Sequence, residues 1–170
     1  MEIVHIEPGE ECRLRDLRLR AVTDAPEAFG TTRSVILRWS DEQWMQQLRD
    51  LPTFVVVEDG TDLGMVRGAL DPRYPLKRHL ISMWIAPEAR GRGFGTALTR
   101  HTIEWAKSSG GTSLILGVVE NNWGGRALYE RMGFHYTGNE HVLDAPRGHL
   151  RELEMSIDLS SAASTEQAGE

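Results

Sequence analysis

Two rhythms of apolar residues alternate along this chain. Leu14, Leu17 and Ala21 recur at spacings of three and four, the stripe of an amphipathic helix, behind a short apolar run from Ile3 to Ile6 and a Pro8-Gly9 turn. Ser40 with Gln43 three residues on reads as a capping box, opening a helix that sets Trp44, Leu48 and Leu51 on one face until Pro52 stops it. Between these helices Asp24 to Gly30 is a loop. Thr53 to Val57 and Leu63 to Leu70, parted by Asp59-Gly60, have the Val-rich character of antiparallel neighbours. Two prolines within Asp71 to Pro75 deny ladder donors and helix continuation, and His79 to Ile85 then resumes strand character up to Pro87. Phe94 to Lys107 carries Leu98, Thr102, Trp105 and Ala106 on one helical stripe and ends at Gly110-Gly111. Ser113 to Val119 reads as a buried strand and Trp123 to Met132 as a helix closed by Gly133. Phe134 to His141 and Arg151 to Leu159 are two last strands around a Pro146-Arg147-Gly148 turn.

This order predicts an α/β fold: one domain over residues 1–159, with a mixed, mostly antiparallel sheet of about seven strands and about four helices. A helix between His79 to Ile85 and Ser113 to Val119 makes those strands a central parallel pair joined by a right-handed crossover. Residues 160–170 lack an apolar pattern and read as a frayed tail.

Composition narrows the function. Among 170 residues, 19 Lys plus Arg stand against 25 Asp plus Glu, a formal charge of −6 that gives a nucleic-acid footprint no support and suits cationic partners better. Apolar stretches such as Leu114 to Val119 are far too short to span a bilayer. Met1-Glu2-Ile3 opens without the features of a signal peptide, so the expected setting is cytoplasmic and away from membranes. A single cysteine, Cys12, excludes an intramolecular disulfide and a Cys-pair metal motif. The six scattered histidines form no i, i+4 pair, so no metal is implied.

The chemistry gathers after the central strand. Ile85 leads through Ala86-Pro87-Glu88-Ala89 into Arg90-Gly91-Arg92-Gly93-Phe94-Gly95-Thr96 and a helix. Such a turn can point successive N–H groups inward without a Cβ in the way, and the helix behind it adds partial positive charge, which together suit a pyrophosphate. Arg90 and Arg92 add charge and bidentate donors. The spacing is neither G-x-x-x-x-G-K-[ST] nor G-x-G-x-x-G, so ATPase and dehydrogenase readings fall.

Arg90, Gly93 and Gly95 meet the pattern [QR]-x-x-G-x-[GA], and Asn122, Leu128-Tyr129 and Gly133-Phe134 fall on N-x-x-A-x-x-L-Y-x-x-x-G-F. With these two motifs the chain resembles the GCN5-related N-acetyltransferase (GNAT) superfamily, over nearly everything but the tail. It departs at Gly125, where the family commonly has Ala, and at Gly117, where many members carry an acidic residue.

The resemblance implies acetyl-CoA as co-substrate and direct attack of an amine on its thioester. Arg90, Gly91, Arg92, Gly93, Phe94, Gly95 and Thr96 would hold the diphosphate. Met83, Trp84 and Ile85 would pair with the pantetheine amides, and Asn122, Arg126 and Tyr129 would also meet the cofactor. Tyr129 is the implied donor of a proton to the departing thiolate; read without the family, it is an amphipathic core residue, and Asn122 a simple N-cap. An alkylamine is only about one part in a thousand neutral at pH 7, a handicap of about 4 kcal/mol that a base has to offset. Glu120 is the first candidate base, otherwise a solvated loop carboxylate, with His79 and Glu27 behind it. The acceptor, a small-molecule or peptide amine, is expected between the Asp24 to Gly30 and Asp71 to His79 loops. Many relatives pair as homodimers, but no residue pattern here marks the surface. A non-catalytic acyl-CoA sensor on the same fold is the alternative, and an anion-binding interaction domain would leave Asn122 and Tyr129 unexplained.

Overall fold

Strand β1 (Glu2–Ile6) leads into helix α1 (Glu11–Asp24), which buries Leu14, Leu17 and Ala21 as their spacing requires. These belong to a computed structural model that describes residues 1–145 and 147–160; Pro146 and residues 161–170 of the expected tail lie outside it. A single 3-10 turn, Pro26–Ala28, follows α1 inside the stretch expected to be plain loop. Next come α2 (Arg33–Ile36) and α3 (Asp41–Asp50). The sequence pattern omits α2, since four residues are too few for a helical period to register. The capping box of α3 is present in both directions: Gln43 N–H donates to Ser40 Oγ at 3.3 Å, and Ser40 N–H donates to Gln43 Oε1 at 2.9 Å.

The rest of the described chain is β2 (Thr53–Glu58), β3 (Thr61–Leu70), β4 (Lys77–Ile85), a second 3-10 turn (Pro87–Ala89), α4 (Phe94–Ser108), β5 (Ser113–Val119), α5 (Trp123–Arg131), β6 (His135–Val142) and β7 (Arg151–Asp158). The seven strands form one sheet in the order β1-β2-β3-β4-β5-β7-β6. Only β4 and β5 are parallel, and they pair for just three residues, Lys77 with Ser113 through His79 with Ile115. Helices cover both faces. Gly68 of β3 leaves room for the Trp105 ring of α4, where a Cβ would come within 2.6 Å, while its neighbour Arg67 turns the other way and donates to Gln47 Oε1 of α3 at 2.8 Å. The α5 end packs on the α4 side, since a Cβ on Gly133 would meet Ile157 at 3.3 Å.

The expected Asp71 to His79 loop is tied to itself. His79 Nε2 lies 2.8 Å from Asp71 Oδ2, and Asp71 Oδ1 accepts the N–H groups of Arg73 and Tyr74 at 2.8 and 2.9 Å. These bonds, that of His79 first, hold the carboxyl down to about 2 from an ordinary 3.8. Because the folded value lies below the unfolded one, this carboxylate's contribution to stability is complete above about pH 4 and is lost as the pH falls toward 2. Asp71→Asn removes that step from the acid-unfolding curve. Ser40→Ala, which deletes one arm of the capping box, lowers the urea-unfolding free energy by about 1 kcal/mol.

Candidate active site

Beyond His79 and Ile115 the central strands part. Their separation is helped by a bulge: Arg67 faces Ile81 and Met65 faces Trp84, so Val66 of β3 is opposed by both Ser82 and Met83 of β4. Ser82 adopts a φ of +55°, the left-handed region that non-glycine residues rarely occupy. Its hydroxyl accepts from Arg18 Nη1 of α1 at 3.1 Å. Burial with no carboxylate against it lowers the Arg18 guanidinium to about 10, and its plane lies 5.3 Å from the Phe29 ring centroid.

The opening continues into a cavity of about 920 Å3, within the roughly 300–1,000 Å3 usual for small-molecule sites. Its walls are the C-terminal half of β4 (Met83, Trp84, Ile85), the glycine turn (Arg90, Gly91, Gly93 to Thr96), the α5 start with Leu128 and Tyr129, and the loop from Asp24 to Phe29. Gly91 and Gly93 hold φ of +74° and +85°, and Gly93 is the N-cap of α4; a Cβ on either would meet nothing within 4 Å. The turn therefore faces open space in a backbone conformation that glycine alone adopts cheaply. Gly95 serves another purpose, since a Cβ there would come within 3.1 Å of Leu128, so its hydrogen lets α4 and α5 approach.

The two arginines of the turn are already engaged. Arg90 donates through Nε to the Ile85 carbonyl at 3.1 Å and through Nη2 to Asp24 Oδ2, the same oxygen that accepts Trp84 Nε1–H at 2.8 Å. Arg92 pairs with Glu58 of β2, stacks 4.8 Å from the Phe94 ring centroid and is not among the cavity-lining residues. Both were expected at a diphosphate; each has an acidic partner, 66 and 34 residues away in sequence, and Arg90 lines the cavity together with Arg131 and the backbone of the turn.

Tyr129 is buried in the cavity wall, edge-on to Phe134 with ring centroids 5.7 Å apart, and burial pushes its phenol up from 10. Its hydroxyl makes no hydrogen bond to another of the described residues. Asn122 lines the cavity and caps α5, accepting Gly125 N–H at 3.0 Å. A Cβ on Gly125 would lie 2.8 Å from Asn122 Nδ2, so glycine makes room for the cap.

Other expected positions fall elsewhere. Glu120 does not line the cavity: its N–H donates to the Arg151 carbonyl at 2.8 Å, and its own carbonyl accepts from Arg126 Nη1 at 3.0 Å. Arg126, also outside the lining, stacks on Trp123. No residue of the Asp71 to His79 loop lines the cavity, because that loop covers the start of β4, roughly 26 Å along the strand from the glycine turn. Its expected place opposite the Asp24 to Gly30 loop is taken by the β6–β7 connection, where Arg147 Nη2 donates to the Gly30 carbonyl at 2.8 Å and His149 lies 3.9 Å from Glu27. Glu27, third among the expected bases, does line the cavity, with an exposed carboxylate. Sequence reasoning missed Asp24 as an anchor; contacts 60 and 66 residues apart leave no local signature.

The model of the acetyltransferase (GNAT) family matches residues 17–134. Streptothricin acetyltransferase of Streptomyces lavendulae is 31% identical over 94 residues, 55% of this chain and 50% of that protein. The chain spans half or less of the first curated relatives it matches. Among solved structures, a GNAT-family acetyltransferase of Streptococcus pneumoniae superposes with a TM-score of 0.78 at 22% identity, covering 92% of this chain and 98% of that one. The yncA protein of Salmonella typhimurium, solved with its cofactor acetyl-CoA, gives 0.76 at 19% identity, covering 99% of each chain. These likenesses show the same fold. Asp24→Ala leaves the buried Trp84 N–H unpartnered and releases Arg90; the expected result is a loss of about 1–3 kcal/mol in urea unfolding, with altered tryptophan fluorescence in the folded protein.

Proposed function

This chain belongs to the GNAT acetyltransferase family, and on that footing we propose that it moves an acetyl group from acetyl-CoA to a primary amine by direct attack. The observation that carries the reading is the gap between β4 and β5, with a positive-φ glycine turn at its outer end and a phenol in its wall. The turn fits a diphosphate: N–H groups at the α4 N-terminus face open space, and the side chains of Arg90 and Arg131 stand in the same cavity wall. The C-terminal half of β4, unpaired on its β5 side, can take the pantetheine as an added strand through Met83 and Ile85. A bulge N–H at Ser82 or Met83 is free to meet the carbonyl oxygen. Asn122, fixed by a cap bond that its Oδ1 accepts, has both amide hydrogens to offer the same chain.

Tyr129 is the proposed general acid. Burial keeps its phenol protonated at neutral pH, and a thiolate released into the same apolar wall is penalised by the same burial, so the two proton affinities rise together. The acceptor enters from the side of Glu27 and the β6–β7 connection, where the exposed Glu27 carboxylate favours a cationic amine.

The test is thiol release from acetyl-CoA with a panel comprising a polyamine, an amino-acid amide and a peptide with a free N-terminus. Tyr129→Phe is expected to lower kcat about tenfold to a hundredfold while calorimetry gives a Kd for acetyl-CoA within about twofold of wild type. Undiminished turnover removes Tyr129 from the mechanism. Tight acetyl-CoA binding without acetylation of any amine assigns the fold to a sensor instead.

A further inference from the structure

Gly117 lies in the middle of a strand with ordinary extended backbone, so no turn explains its glycine. What occupies the missing side chain's space is a carboxylate: a Cβ on Gly117 would lie 2.7 Å from both Oε1 and Oε2 of Glu152. Glu152 stands on β7 directly opposite Val119, and Gly117 and Val119 share its face, the one turned away from α4 and α5. Counting two residues along each central strand from the last pair, His79 with Ile115, brings Ile81 level with Gly117. The Glu152 carboxylate, carried by β7, therefore lies over Gly117 on the β5 side of the gap, one residue short of the level of the Ser82-Met83 bulge, just behind the cavity-lining Val119 rather than in the lining itself.

The carboxylate is otherwise unemployed. Glu154, next on this face, has its Oε1 bonded by Thr137 Oγ1 at 2.8 Å and Asn139 Nδ2 at 2.9 Å, whereas Glu152 accepts no hydrogen bond from any described residue. We propose that Glu152 is the proton acceptor for the amine, reaching across Gly117 to the place where the nitrogen attacks. This rests on the acetyltransferase reading given above. Partial burial, the first cause, raises its pKa above the usual 4.5 against the opposing pull of His141 and Arg147, the direction a proton acceptor needs.

The step balances. Glu152 takes one proton from the ammonium; the freed lone pair forms the N–C bond as the C–S bond breaks, and the Tyr129 phenol gives its proton to the leaving sulfur. The second nitrogen proton restores the phenol through water, and Glu152 returns its own to solvent, so one proton is released per amide formed. The charged groups that act on Glu152 are His141 of β6 and Arg147 of the β6–β7 connection, with Glu154 two residues along β7 on the same face.

Glu152→Gln is expected to lower kcat about a hundredfold with the panel amine that wild type acetylates fastest, while the Kd for acetyl-CoA stays within twofold. In wild type kcat/KM falls as acid protonates Glu152; that limb is absent from the variant's residual activity. The uncharged amide is easier to bury, so the variant's Tm at pH 7 is at least that of wild type, and a lower Tm or a failure to fold overturns the proposal in favour of a structural role. Glu152→Ala combined with Gly117→Glu returns a carboxylate to the same space from β5 and regains at least tenfold over Glu152→Ala alone; no gain counts against the assignment. Turnover of Glu152→Gln within twofold of wild type overturns it, as does loss confined to His79→Gln. If wild type acetylates no amine, the acetyltransferase reading itself fails; if wild type turns over and Glu152→Gln keeps pace, only this inference does.

Discussion

The parting of β4 from β5 is the constraint on which the rest of the molecule depends. Three paired residues are enough to fix the two strands side by side, and beyond them each strand's inner edge carries peptide groups with no partner strand. An open edge inside a sheet is tolerable only where something polar can enter, and every neighbouring element is placed to keep it open. The extra residue at Ser82 bends β4 outward. Arg18 reaches from α1 to hold that residue, and Asp24 at the end of the same helix grips both Trp84 and Arg90. One helix thus positions the bulge at one end of the gap and the glycine turn at the other.

Two glycines show a shared logic. At Gly125 and at Gly117 the family pattern has a side chain, and at each the space is filled by a neighbour: the Asn122 amide in one case, the Glu152 carboxylate in the other. The Gly125 exchange moves a cap inward within a single helix turn. At Gly117 the exchange crosses between strands, so that the carboxylate lying over β5 is carried by β7.

How much of this was legible follows from the range of each interaction. The capping box of Ser40 and Gln43, the Asp59-Gly60 hairpin and the stripes of α1 and α4 are encoded within four residues or fewer of themselves, and they stand where the pattern put them. The parallel pair was readable because a helix between two strands leaves little choice. The positive φ at Ser82 was not, because it arises from a mismatch of one residue between two long strands and no glycine marks it. The ion pairs of Arg90 and Arg92 were not readable either, because their acidic partners are distant in sequence. The neighbour of the Asp24 to Gly30 loop was hidden for the same reason: the bond from Arg147 to Gly30 spans most of the chain.

The pairing of Arg90 with Asp24 and of Arg92 with Glu58 leaves the glycine turn without surplus charge, in a chain whose formal balance is −6. A polyanion reaching the cavity meets peptide dipoles that act within a few ångströms and Arg131, a lining cation that no carboxylate pairs among the described residues. The balance of −6 opposes its approach at longer range, and salt, by screening that repulsion, quickens the encounter.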